Sequence, residues 1–269
     1  MQLGLSTYSF PWAIGVNGYL PSKPLTAIDL LHYAASNNIH FVQFGDNLPL
    51  HTFSLQESNK LKEKADELSI SIEVGTRRLT RENILIYLSI ARQFKSSFLR
   101  VVIDDSDFHP DEQEVINNIK DLLPHFRQAN VCLAIENHDR FPAATLRRII
   151  QQTDPSFVAV CLDTANSLGA NEGINEVVQV LGAYTMNLHV KDITIKRLSH
   201  KMGFTVEGCS AGNGILNIPF IIKQLKPYNL CKTITLEVWS QPESTIEETL
   251  AKEKQWVQTS IDYLKNILK

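Results

Sequence analysis

In this 269-residue chain, four side chains able to bind a metal ion or move a proton each close a hydrophobic run. Leu133-Ala134-Ile135 stops at Glu136, Val160-Cys161-Leu162 at Asp163, Asn187-Leu188 at His189, and Thr235-Leu236 at Glu237. Successive members are separated by 27, 26 and 48 residues. The first two intervals each span one strand and one helix, and the third is such a unit lengthened by a glycine-bearing stretch. Three carboxylates and one imidazole at converging strand ends make a divalent site of borderline hardness, suited to Mn²⁺, Mg²⁺, Co²⁺ or Zn²⁺. Any one of the four reads equally well as a polar residue where a strand meets water. Their recurrence at matching positions is what points to one shared site.

The elements that must position these residues follow from the hydrophobic pattern. Short, nearly continuous apolar runs, as expected of parallel strands covered on both faces, occur at Leu3–Phe10, His40–Phe44, Ser71–Gly75, Phe98–Ile103, Cys132–Glu136, Ala159–Asp163, Met186–Val190 and Thr233–Val238. Amphipathic segments separate them. Ser54 with Glu57, Asp111 with Glu114 and Thr245 with Glu248 have capping-box spacing, and Pro24, Pro110, Pro142 and Pro219 stand near other helix starts. A doubly wound sheet would call for a glycine-rich first turn, whereas the first run ends in Ser9-Phe10-Pro11-Trp12. A single-domain (β/α)8 TIM barrel over residues 1–269 needs no such turn and gathers its functional residues at the C-terminal strand ends. The one long irregular stretch, 193–214, follows His189 and is expected to be a loop folding over the site.

At this point the sequence resembles a known family. Ala134-Ile135-Glu136-Asn137-His138, Leu162-Asp163-Thr164-Ala165-Asn166, Leu188-His189-Val190-Lys191-Asp192, Leu236-Glu237-Val238-Trp239 and the Gly212-Asn213-Gly214 turn look like the xylose isomerase-like TIM barrels. That superfamily includes sugar isomerases and epimerases, inosose and dehydroshikimate dehydratases, and class II apurinic endonucleases. The resemblance implies that Glu136, Asp163, His189 and Glu237 hold one divalent metal ion. It also implies that Glu136 and Glu237 exchange protons with opposite faces of a sugar substrate. Two departures stand out. Asn166 occupies a position where the family often has histidine, and the second strand ends in Gln43-Phe44-Gly45-Asp46 where glutamate is common.

The expected activity is isomerisation or epimerisation of a small sugar, keto-sugar or polyol through a metal-stabilised enediolate. A dehydratase is the alternative, since the same enediolate can expel a β-hydroxyl. An apurinic endonuclease is remote, because Asn166 removes a ligand and the net charge is -3. His138, Asn166, Lys191, Arg197 and Trp239 are the expected substrate contacts, with His200 behind them. Trp239 would offer an apolar face to sugar C–H groups.

The formal charge gives no general attraction to nucleic acid or anionic lipid, and no run approaches the ~18 apolar residues of a membrane span. Cys132, Cys161, Cys209 and Cys231 lack Cys-x-x-Cys spacing and read as reduced thiols, which with the N-terminal pattern leads to the expectation of a cytoplasmic protein. The C-terminal segment 246–269 is amphipathic and expected to cover the barrel. Only the resemblance, through family dimers and tetramers, implies a homo-oligomer.

Overall fold

The computed structural model describes residues 1–269. Eight parallel strands close into a barrel. They are β1 (Gln2–Ser6), β2 (Phe41–Phe44), β3 (Ser71–Arg77), β4 (Phe98–Val102), β5 (Cys132–Glu136), β6 (Val158–Asp163), β7 (Thr185–Val190) and, after two strands outside it, β10 (Thr233–Leu236). β1 pairs with both β2 and β10, so no strand edge is left open. All eight expected runs are barrel strands. The first and last are shorter than the apolar pattern suggests, because Thr7–Ser9 turns into a short helix and regular strand pairing stops at Leu236, with the Glu237 amide making a last bond to the Val190 carbonyl.

The helices are α1 (Pro11–Ile14), α2 (Ala27–Ser36), α3 (Leu55–Glu67), α4 (Arg81–Gln93), α5 (Glu112–Ala129), α6 (Ala143–Gln152), α7 (Ile174–Leu181), α8 (Ile218–Leu225) and α9 (Ile246–Ile267). All three expected capping boxes form, at the starts of α3, α5 and α9. α5 shows why these segments pack as helices. Val115, Ile119, Leu122 and Phe126 recur every three or four residues and are buried against the barrel, each worth about 1.5–3 kcal/mol relative to exposure. α9 buries Val257, Ile261 and Leu264 in the same core.

The stretch 193–214 is not an irregular loop. β8 (Asp192–Arg197) and β9 (Phe204–Cys209) form an antiparallel hairpin with Ile195 opposite Val206. The signal was Ile193, Ile195 and Val206 alternating with polar residues, a period-2 pattern that glycine punctuation obscures. The hairpin base presses on the barrel mouth so closely that a Cβ at Gly208 would meet the Trp239 carbonyl oxygen at 1.9 Å. Asp192 organises the return. Its carboxylate accepts the amides of Gly212 (2.9 Å), Gly214 (3.0 Å) and Leu216 (3.2 Å), and a side chain at Gly214 would collide with it.

Candidate active site

Strand alternation sends every second side chain into the barrel, and the register sets the depth. Asp163 is level with His189, and His189 with Thr235. Glu136, Asp163, His189 and Glu237 therefore converge at the C-terminal mouth, all buried. Nδ1 of His189 lies 3.2 Å from Glu237 Oε1, 3.4 Å from Glu136 Oε2 and 4.0 Å from Asp163 Oδ2. The ligand atoms of Asp163, His189 and Glu237 all fall within 4.8 Å of one another.

Two of these atoms decide what the cluster fits. His189 Nδ1 and Glu237 Oε1 are buried with no hydrogen-bond partner. An orphaned buried acceptor ordinarily costs ~1–3 kcal/mol, so two facing each other at the centre of a carboxylate cluster call for a cation between them. The remaining oxygens are already anchored. Asp163 Oδ1 accepts the amides of Ala165 and Asn166, and Glu136 Oε1 accepts the Asn166 side-chain amide at 2.8 Å. These fixed lone pairs and the open inner face suit a divalent ion.

Cations surround the cluster. The Lys191 ammonium donates to Asp163 Oδ2 (2.6 Å), sits 2.9 Å from Glu237 Oε2 and lies 5.1 Å from the centre of the Trp239 ring. Arg100 is buried within β4, where its guanidinium bonds Glu136 and reaches Asp46 at 3.1 Å. Asp46 also accepts from Arg77 (3.1 Å) and the Tyr8 hydroxyl (2.9 Å). Burial alone would raise the Glu237 carboxyl, but the Lys191 and Arg100 cations help hold it below the ordinary carboxylate range. Burial opposes ionisation of Glu136 as well, and Arg100 prevails with the help of Lys191. Burial works against the Lys191 charge, yet Asp163, Glu237 and Glu136 raise its pKa well above the ordinary lysine value.

Above the cluster lies a chamber of about 150 Å³ lined by Tyr8, Arg77, Arg100, Glu136, His138, Asp139, Asn166, Lys191, Glu237 and Trp239. The structure thus brings the four expected ligands together and places His138, Asn166, Lys191 and Trp239 around them. Arg197 stays outside. It extends from the exposed part of the hairpin, donates to the Lys201 carbonyl (3.0 Å) and stacks on Phe204, so its expected substrate contact is not formed. His200 is likewise exposed at the hairpin turn, where it accepts the Met202 amide.

A family profile described as "Xylose isomerase-like TIM barrel" matches residues 31–267. The chain belongs to that family. It is 29% identical over 264 residues to a 3-oxo-isoapionate decarboxylase of Pectobacterium atrosepticum, covering 98% of this chain and 95% of that protein. D-psicose 3-epimerase from Clostridium cellulolyticum H10, solved with D-tagatose, superposes with a TM-score of 0.75 over 100% of both chains at 14% identity. A xylose isomerase-like barrel from Mycobacterium smegmatis in complex with magnesium gives 0.68 at 12% identity, covering 97% of this chain and 96% of that one. The two structural likenesses establish the shared barrel. No helix here is long and apolar enough to cross a membrane.

Proposed function

We propose that this chain is a divalent-metal-dependent enzyme acting on a small keto-sugar acid, and that it releases CO₂ from a 3-oxo carboxylate through an enediolate. The observation that carries this reading is the pairing of a cation site with two further buried cations, Lys191 and Arg100, in one chamber. With a divalent ion in place, the charges of Lys191, Arg100 and Arg77 balance the carboxylates of Asp46, Glu136, Asp139, Asp163 and Glu237. The buried Lys191 and Arg100 beside the ion still offer charge-assisted partners to an anionic group. The decarboxylase relative acts, by its name, on a 3-oxo acid.

A divalent ion held by Glu136, Asp163, His189 and Glu237 supplies Lewis acidity that draws electrons toward a ketone oxygen. The substrate carboxylate faces the Lys191 ammonium, which Asp163 and Glu237 hold in position. The bond between that carboxylate and the adjacent carbon breaks, its electron pair moves onto the ketone to give the enediolate, and CO₂ departs. Water returns a proton to the carbon. This route needs no base at the start. That agrees with Glu136, whose two oxygens are both engaged by Asn166 and Arg100. Trp239 closes the chamber on one side and limits water access to the intermediate.

Epimerisation or isomerisation is the second reading, supported by Glu136 and Glu237 both reaching the one buried chamber, each beside His189 Nδ1. In that case the two glutamates act as base and acid on opposite faces of a neutral keto-sugar. One panel separates the two readings. Carboxyl-¹³C-labelled 3-oxo sugar acids are assayed for labelled CO₂, and ketoses are incubated in D₂O and examined for deuterium incorporation. Release of ¹³CO₂ is the expected result. Deuterium exchange into ketoses, with no CO₂ from any acid, would replace the decarboxylation reading with the epimerase one.

A further inference from the structure

We infer that Gln43 is a positioning residue that fixes the proton of His189 on Nε2, leaving Nδ1 as the free lone pair at the cation site. The inference rests on the metal-site reading above and not on which reaction follows.

The argument starts from a group that cannot turn over. The backbone carbonyl of Thr233 can only accept, and the Asn187 side-chain nitrogen lies 3.3 Å from it. The same nitrogen donates to the hydroxyls of Thr233 (2.7 Å) and Thr235 (3.0 Å). Asn187 Oδ1 therefore faces away from this edge, as an acceptor 3.3 Å from Gln43 Nε2. Gln43 Nε2 has a second acceptor, Glu73 Oε2, at 3.1 Å, while Glu73 Oε1 accepts from Thr233 at 2.8 Å. Turning the Gln43 amide over would set its oxygen against Asn187 Oδ1 and, above the raised Glu73 value of about 7, against the ionised Glu73 carboxylate. The amide nitrogen is thus directed at Glu73 and Asn187, and Oε1 is directed at His189 Nε2, 2.7 Å away. An acceptor at that distance requires a proton on Nε2.

This assignment opposes the local field. Three carboxylates lie within 4.0 Å of Nδ1, and by themselves they would draw the imidazole proton to that nitrogen, where it would block a cation. Gln43 holds it on the far side. All members of the relay, Gln43, Glu73, Asn187, Thr233 and Thr235, are buried inside the barrel, so no water competes.

The test is nitrogen-15 NMR of the His189 ring in metal-free protein at about pH 8, where an unperturbed imidazole is neutral. The expected signal is an Nε2–H tautomer in the wild type and a shift toward Nδ1–H in Gln43→Leu. Mn²⁺ affinity measured by calorimetry should fall ~10–100-fold in that variant. An Nδ1–H tautomer in the wild type overturns the inference without recourse to any variant, and so does an unchanged tautomer in a folded Gln43→Leu protein. A wild type that binds no Mn²⁺ while showing the Nε2–H tautomer counts instead against the metal-site reading.

Discussion

Glu237 Oε1 and His189 Nδ1 stand 3.2 Å apart, both buried and both without a hydrogen-bond partner. Two acceptors so placed repel each other in the metal-free protein and become partners once a cation lies between them. Replacing Glu237 by glutamine alters this relationship in a defined way. The amide nitrogen can donate to Nδ1 while its oxygen keeps the contact with Lys191. Metal-free Glu237→Gln should stay within about 1 kcal/mol of metal-free wild type in urea unfolding, the new bond to Nδ1 offsetting the charge lost beside Lys191, while losing turnover by ~10²-fold or more. A loss of several kcal/mol in the metal-free variant would mean that these two atoms are not in conflict.

Divalent ions should stabilise the wild type in proportion to occupancy. At ~100 times the dissociation constant the gain is about 2.7 kcal/mol, or roughly 5–10 °C in thermal midpoint for a domain of this size. Differential scanning fluorimetry with Mn²⁺ or Mg²⁺, before and after chelation, measures it. In Glu237→Gln the metal-induced rise should largely disappear.

Lys191→Met removes the ammonium beneath Trp239 and leaves the four expected ligands in place. For a carboxylate-bearing substrate, KM should rise at least ~10-fold, because the lost contact is charge-assisted. For a neutral ketose, KM should change little. Steady-state kinetics on both substrate types distinguishes a substrate-facing lysine from one that only supports Asp163 and Glu237.

Arg197→Ala should leave kcat and KM within about twofold of wild type, since the guanidinium is committed to the Lys201 carbonyl and the Phe204 ring on the exposed hairpin. A fall of tenfold or more in kcat/KM would show that the hairpin brings this arginine to the substrate.

Stability should decline between mildly acidic and alkaline pH. Burial raises Glu73 from an ordinary 4.5 to about 7, against hydrogen bonds from Thr233 and Gln43. Burial likewise raises Glu253 to about 7, against the amides of Trp12 and Ala13. Because both folded values are raised, their stabilising contribution is complete below about 4.5 and is lost as the pH rises through about 7. For Glu73 alone the cost of ionisation is on the order of 3 kcal/mol. Glu237, depressed to about 2, contributes fully above about 4.5 and adds no slope in this window. Urea unfolding at about pH 5 and about pH 8 should show the drop, and Glu73→Gln should flatten it.

The clustering of Glu136, Asp163, His189 and Glu237 was legible because each interrupts a hydrophobic run at its C-terminal end, where side-chain chemistry and strand boundary coincide. Arg100 and Glu73 lay inside runs read as apolar strands. In a barrel, a charged residue in mid-strand points either outward to a helix or inward to the axis, and only the three-dimensional register reveals Arg100 beside Glu136 and Glu73 beneath Gln43. The pairing of Tyr8 with Asp46 was hidden for another reason. Their contact spans 38 residues and depends on how two strand ends meet, which periodicity does not encode. For Arg197 the failure ran the other way. Its place at the start of the segment after His189, roughly where the resembling epimerases carry a substrate-binding arginine, suggested a substrate contact, but β8 carries it outward along a hairpin.

The most direct test of the account is the metal content of protein purified from cells without added ions, by plasma mass spectrometry. The wild type should carry one divalent ion per chain, and folded Asp163→Ala and His189→Ala proteins should carry almost none. A wild type free of divalent metal that still turns over substrate, or variants that retain the ion in full, would contradict the assignment of Glu136, Asp163, His189 and Glu237 as its ligands.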